Sequence, residues 1–222
     1  MQGMKGEEIV DDTCWIIKSH YPLAFARSPI YQANKSIVIV RNPLESAISW
    51  LNLLATHCHS SKCPFNFEEL YPTYWDWWVK YIINHINNWM MIMITEARER
   101  RLPILFIRFE DLVMNPEPEL IKIMRFLIDR DDLSGTNAER RIKEVLSMGE
   151  QATQTYSLKD TTRRLNANIH RYTQDQQAWV KEKMKEVLHY FGYAKLPEDL
   201  ENPTGFFDYS DKGSQDQPEY KG

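Results

Sequence analysis

Arg41 follows four consecutive β-branched residues, Ile37 to Val40, and Ser49 stands eight positions further on. An apolar run without polar alternation predicts a strand buried on both faces, the usual condition of a parallel sheet, with the arginine at its carboxyl end. Asn42, Pro43 and Glu45 then mark a helix start: a side chain able to cap, an imino acid suited to the first turn, and a carboxylate three residues after the cap, as in a capping box. A guanidinium at a strand end, a hydroxyl about two turns along the helix and the free N–H groups of that helix together form chemistry for holding a phosphate. A second pair, Lys18 and His20, follows the run DTCWII of residues 12–17, and so is also expected just past a strand end. Open α/β sheets bind ligands along that edge, where Lys18, His20 and Arg41 are therefore expected to converge. The plain alternatives are a salt-bridged arginine, a helix-surface serine and a loop histidine ahead of the Tyr21-Pro22 turn.

Further elements have to support this edge. Residues 72–101 read as one helix, with Trp78, Ile82, His85, Trp89 and Met93 at spacings of three or four residues, the face expected to pack on the sheet. Another strand is expected from Ile104 to Phe109, ending at Glu110-Asp111, and an amphipathic helix from about Pro116 to Ile128. A short charged helix is expected over 138–149, and a last one from Gln174 to Tyr190 with Trp179, Met184 and Val187 inward and Gly192 as its stop. His57, Cys58, His59 and Cys63 match no established zinc spacing and read as a loop with free thiols, with a Cys58–Cys63 disulfide or a metal site as the alternatives.

Several of these segments resemble those of sulfotransferases that use 3′-phosphoadenosine 5′-phosphosulfate. RNPLESAIS resembles the segment that binds the 3′-phosphate, and IKSHYPLAF resembles the lysine–threonine–histidine–x–proline segment of cytosolic members, with Ser19 in place of the threonine. ILFIRFEDLVMNPEPELIKIMRFL resembles the stretch that runs from an aromatic through Glu-Asp and a proline to a helix ending in Phe-Leu, and the His85-to-Trp89 spacing is a family feature. The polar stretch around Arg163-Arg164 resembles the basic loop that closes over the 3′-phosphate, although the family's glycines are absent and a charge run is otherwise read as a solvated face. MKGEEIV resembles the Lys-Gly-Glu segment of the members related to WSC-domain proteins.

The resemblance implies an α/β fold of the P-loop nucleotide-binding type, a parallel sheet flanked by helices. It also implies roles: Arg41, Ser49 and Arg163 or Arg164 on the 3′-phosphate, Phe109 near the adenine, His20 as general base, Lys18 on the transferring sulfuryl group, and Trp50 and His57 bordering the acceptor. An imidazole with a pKa near about 6.5 can take a hydroxyl proton at neutral pH, an ammonium can stabilise sulfuryl oxygens, and guanidinium forks suit a phosphate dianion. In the family a strand, a phosphate loop and a helix come before these segments, and no glycine here lies in such a loop. A sulfotransferase-like domain begun one element late is thus expected over residues 1–195, with transfer absent or very slow, followed by a disordered acidic tail over 196–222.

Composition narrows the classes. At 222 residues and 43% hydrophobic content, one core and one domain are expected. A formal charge of −4 does not suit a general nucleic-acid binder, and no apolar run reaches the roughly 18 residues of a membrane span. The first fifteen residues are too charged for a signal peptide, so the chain as written reads as soluble and cytoplasmic, with a Golgi location if a preceding segment carries an anchor. The expected reaction is sulfuryl transfer to a hydroxyl on a small alcohol, a carbohydrate or a tyrosine, with no metal required. The competing readings are a non-catalytic nucleotide-binding module of the same fold and, more remotely, a helix-rich interaction protein.

Overall fold

The structure is a computed structural model that describes residues 13, 15–18, 33–58, 61–99, 102–148 and 168–193. Strand β1 (Ser36–Val40) leads through helices α1 (Pro43–Thr56), α2 (Phe67–Leu70) and α3 (Pro72–Arg98) to strand β2 (Ile104–Arg108). The two strands pair in parallel, with Ile37 opposite Leu105 and Val40 opposite Arg108. A parallel pair needs a crossover to bring the chain back to the same end, and here three helices supply it. Beyond β2 come α4 (Phe109–Met114), α5 (Pro116–Ile128), α6 (Asn137–Met148), a 3₁₀ turn (Ile169–Arg171), α7 (Gln174–Lys183) and α8 (Lys185–Tyr190).

Alternation along the strands puts Val38, Val40 and Phe106 on one face, and this face meets the core. Leu44, Ala47, Ile48 and Leu51 of α1, Val79, Ile82, Ile83 and Ile94 of α3, and Val187, Leu188 and Phe191 around α8 complete it. Lys35 fastens the start of β1 to the end of α5. Its ammonium donates to the Phe126 carbonyl at 2.7 Å and pairs with Asp129 at 2.5 Å, where a helix C-terminus leaves carbonyls to be satisfied.

Several expectations need correction. β1 is covered on one face only by the described residues: Ile39 is 52% exposed, while Leu105 and Ile107 on β2 are buried where α5 packs. The helices after β1 return over the Val38 face, so two-sided burial is reached at β2 alone. No strand forms at residues 15–18, where Trp15 is 69% exposed and finds no core surface to cover. β2 ends at Arg108, and Phe109 opens α4. The cause is local: Nε and Nη2, one edge of the Arg108 guanidinium, bond both oxygens of the Asp111 carboxylate, three residues on, which closes a helical turn.

On α3 the buried face runs through Trp75, Trp78, Val79, Ile82, Ile83, Met90 and Ile94, and His85 falls on the exposed flank with its ring 4.4 Å from that of Tyr81. The last helix is two helices, broken at the fully buried Met184. Gly192 follows with φ 74, the left-handed backbone that glycine adopts at a helix stop. Among the described residues no helix is long and apolar enough to cross a membrane. The expected tail, 196–222, and the start of the expected domain, residues 1–12, lie outside the described residues.

Candidate functional site

Arg41 leaves the carboxyl end of β1 as the chain turns into α1. Asn42 caps that helix, its side-chain oxygen accepting the Leu44 N–H at 3.0 Å, and Pro43 occupies the first turn as expected. The rest of the capping box is absent. Glu110, 1% exposed in the first turn of α4, instead accepts the Asn42 N–H at 2.9 Å and the Tyr193 hydroxyl at 2.5 Å, joining the ends of β1 and α8. Glu45, 2% exposed, turns to a residue far along the chain and accepts both the backbone N–H and the side-chain N–H of Asn168, each at 2.8 Å.

The Arg41 guanidinium lies 4.8 Å from the centre of the Phe109 ring, a cation–π arrangement that fixes its plane. Its Nη2 is 3.9 Å from Glu45 Oε2, too long for a hydrogen bond, and its Nε is buried without a hydrogen-bond partner among the described residues. Two other arginines are held differently. Arg108 forks onto Asp111 at 2.7 and 2.8 Å, and Arg171 forks onto Glu68 at 2.6 Å through both nitrogens. Burial pulls the Arg108 pKa down, but the hydrogen bond and charge of Asp111 outweigh it and the group ends above its ordinary value. Arg41 is therefore a partly buried, oriented cation that no carboxylate among the described residues saturates.

The turn at 168–173 packs on the start of α1. Besides the Asn168–Glu45 contacts, the Tyr172 hydroxyl donates to the Leu44 carbonyl at 2.6 Å, and Tyr172 packs against Trp75 at 5.3 Å. Burial, with the Glu45 carboxylate nearby, pushes the Tyr172 pKa well up, so it stays a donor. Thr173 and Gln176 form the capping box of α7.

Of the sequence-expected site residues, Arg41 and Phe109 come together. Ser49 lies on α1 with its side chain exposed, and Lys18 is exposed in a stretch without regular structure. His20, Arg163 and Arg164 lie outside the described residues, although Asn168, four positions after Arg164, is anchored one helical turn from Arg41. Trp50 packs half-buried on the core, and His57 is exposed in the left-handed C-cap of α1. Cys58 and Cys63 form no disulfide, and among the described residues no group of three or more His, Cys, Asp or Glu is placed to hold a metal ion.

Sequence reasoning did not find the partners of Glu45 and Glu110. Asn168 and Tyr193 bond across 123 and 83 residues, and no local spacing signals such pairs. A cleft of about 720 Å³ opens elsewhere, among Glu68, Trp75, Asp76, Lys80, Arg171 and Gln176. Its Lys80 and Arg171 are already paired with Asp76 and Glu68, so it has little to offer an anion.

Residues 10–144 match the family model described as a sulfotransferase domain. Among curated proteins the chain is similar to Sulfotransferase 1B1 of Canis lupus familiaris, with 29% identity over 119 residues that cover 50% of this chain and 36% of that protein. It is similar to WSCD family member CG9164 of Drosophila melanogaster, 25% identical over 125 residues, covering 56% of this chain and 38% of the relative. Sulfotransferase 1A1 of Mus musculus gives 29% over 116 residues, with 50% and 37% covered. The chain thus matches well under half the length of these relatives. No solved structure matches it.

Proposed function

The chain belongs to the sulfotransferase domain family, and on that footing we propose that it binds 3′-phosphoadenosine 5′-phosphosulfate and serves sulfuryl transfer to a hydroxyl acceptor. The carrying observation is Arg41, a cation on the Phe109 ring at the end of a parallel strand, with a buried Nε and, among the described residues, no carboxylate in hydrogen-bond reach. A partly buried guanidinium with an unused donor beside the N-terminus of α1 fits a phosphate dianion, because the bonds to it are charge-assisted and the helix dipole adds to them.

In this reading Arg41 and Ser49 hold the 3′-phosphate, with Arg163 or Arg164 as a further cation, and the free edge of Phe109 faces the adenine. The acceptor oxygen attacks sulfur while the bond from sulfur to the 5′-phosphate oxygen breaks, and adenosine 3′,5′-bisphosphate leaves. His20 takes the hydroxyl proton and Lys18 stabilises charge on the sulfuryl oxygens, demands similar to those of phosphoryl transfer. The P-loop type of fold, and a single domain over 1–195, belong to the same reading.

Calorimetric titration of the chain with adenosine 3′,5′-bisphosphate and with adenosine 5′-monophosphate tests it. The bisphosphate should bind tighter by about tenfold or more, the scale of one charge-assisted hydrogen bond. Equal affinities for the two nucleotides would remove the 3′-phosphate from the site.

A further inference from the structure

Arg41, in the turn before α1, precedes the buried Glu45 by four residues, a spacing that lets the two groups meet, and two other arginines show how completely a carboxylate can take up a guanidinium. Arg108 and Arg171 each spend two nitrogens on one carboxylate at 2.6 to 2.8 Å. Arg41 stays at 3.9 Å from Glu45. The difference lies in what the glutamate is already doing. Both Glu45 oxygens accept from Asn168, one from its main-chain N–H and one from its amide, each at 2.8 Å. Phe109 holds the guanidinium from the other side at 4.8 Å.

We propose that Asn168 is a positioning residue that keeps Arg41 open to an external phosphate by holding the Glu45 carboxylate away from it. The proposal rests on the reading that Arg41 binds the nucleotide's 3′-phosphate. Its mechanism is competition for one buried anion. With Asn168 in place, Glu45 is satisfied by neutral donors and faces Arg41 as a counter-charge at 3.9 Å without a hydrogen bond to it. Without the amide, Glu45 Oε2 loses its partner, and a buried carboxylate oxygen left unpaired is driven toward the Arg41 guanidinium 3.9 Å away. Arg41 would then resemble Arg108 and Arg171, saturated from within.

Calorimetric titration of the full chain with adenosine 3′,5′-bisphosphate, in the parent, Asn168→Ala, Glu45→Gln and the double variant, tests this as a double-mutant cycle. Asn168→Ala should weaken binding about tenfold or more, as expected when a charge-assisted contact to the phosphate is lost. Adding Glu45→Gln to that variant should restore affinity to within about threefold of the parent, because a neutral amide does not capture the guanidinium. A merely structural turn predicts the reverse, a double variant as weak as Asn168→Ala or weaker, and that result would overturn the proposal. Unchanged affinity in Asn168→Ala would overturn it too. If Asn168→Ala does not fold, Glu45→Gln decides alone, since the Asn168 amide can flip to accept from the new glutamine: affinity equal to or above the parent supports the proposal, and a loss of more than about threefold counts against it. Absence of binding in the parent would bring down the phosphate reading along with this inference. Binding that Arg41→Ala destroys and Asn168→Ala leaves intact would bring down this inference alone.

Discussion

Arg171 and Glu68 meet edge to edge at 2.6 Å with side chains only 14% and 17% exposed, a geometry that binds the 168–173 turn to α2. Burial alone would raise the Glu68 pKa, but the hydrogen bonds and charge of Arg171 outweigh it and hold the group below the usual carboxylate range. A pKa lowered in the folded state gives stability that is present above the unfolded value and lost as pH falls through the folded one. Glu68→Gln should therefore cost about 1 kcal/mol at neutral pH, scaled down for a pair that keeps some solvent contact. The gap between parent and variant should narrow as pH falls from neutral through the unfolded carboxylate value of about 4.3 and close only below the lower folded value, where the parent's own carboxyl becomes neutral. Thermal melts at the two pH values check this, and a gap that is the same at both would deny the ion pair its part in stability.

At the level of elements, Glu110 decides how β1, α4 and α8 fit together. Its carboxylate, at the start of α4, accepts from the first residue after Arg41 and from Tyr193 just beyond α8. Glu110→Ala should cost about 3 kcal/mol, since two hydrogen bonds to a buried charged group are lost at once. Urea unfolding should show the midpoint fall with the slope unchanged, and a shift of less than about 0.5 kcal/mol would make Glu110 incidental. Helix bounds were legible where punctuation marks them: Pro43, Pro72 and Pro116 open α1, α3 and α5, and Gly192 follows α8. FEDLVM was not legible as a helix, because its apolar residues continue the strand pattern and the Arg108–Asp111 fork decides otherwise. The break at Met184 was hidden for a similar reason, as the residues around it are good helix formers throughout.

Across the whole molecule, the parallel pair of strands and the long α3 followed from apolar patterning, whereas the contact of Arg41 with Phe109 joins two segments that no sequence spacing connects. Glu45 was visible only as a capping residue. Its partner, 123 positions away, depends on how the 168–173 turn packs on α1, and sequence spacing holds no record of such packing. What unites these observations is a cation at the end of β1 that the described residues around it leave unsaturated. The most direct measurement is the affinity of the chain for adenosine 3′,5′-bisphosphate with and without that guanidinium. Arg41→Ala should weaken binding by about 2 kcal/mol or more, with the fold unchanged by circular dichroism, as befits a charge-assisted contact in a partly buried site. An affinity identical to that of the parent would contradict the assignment of Arg41 to the phosphate.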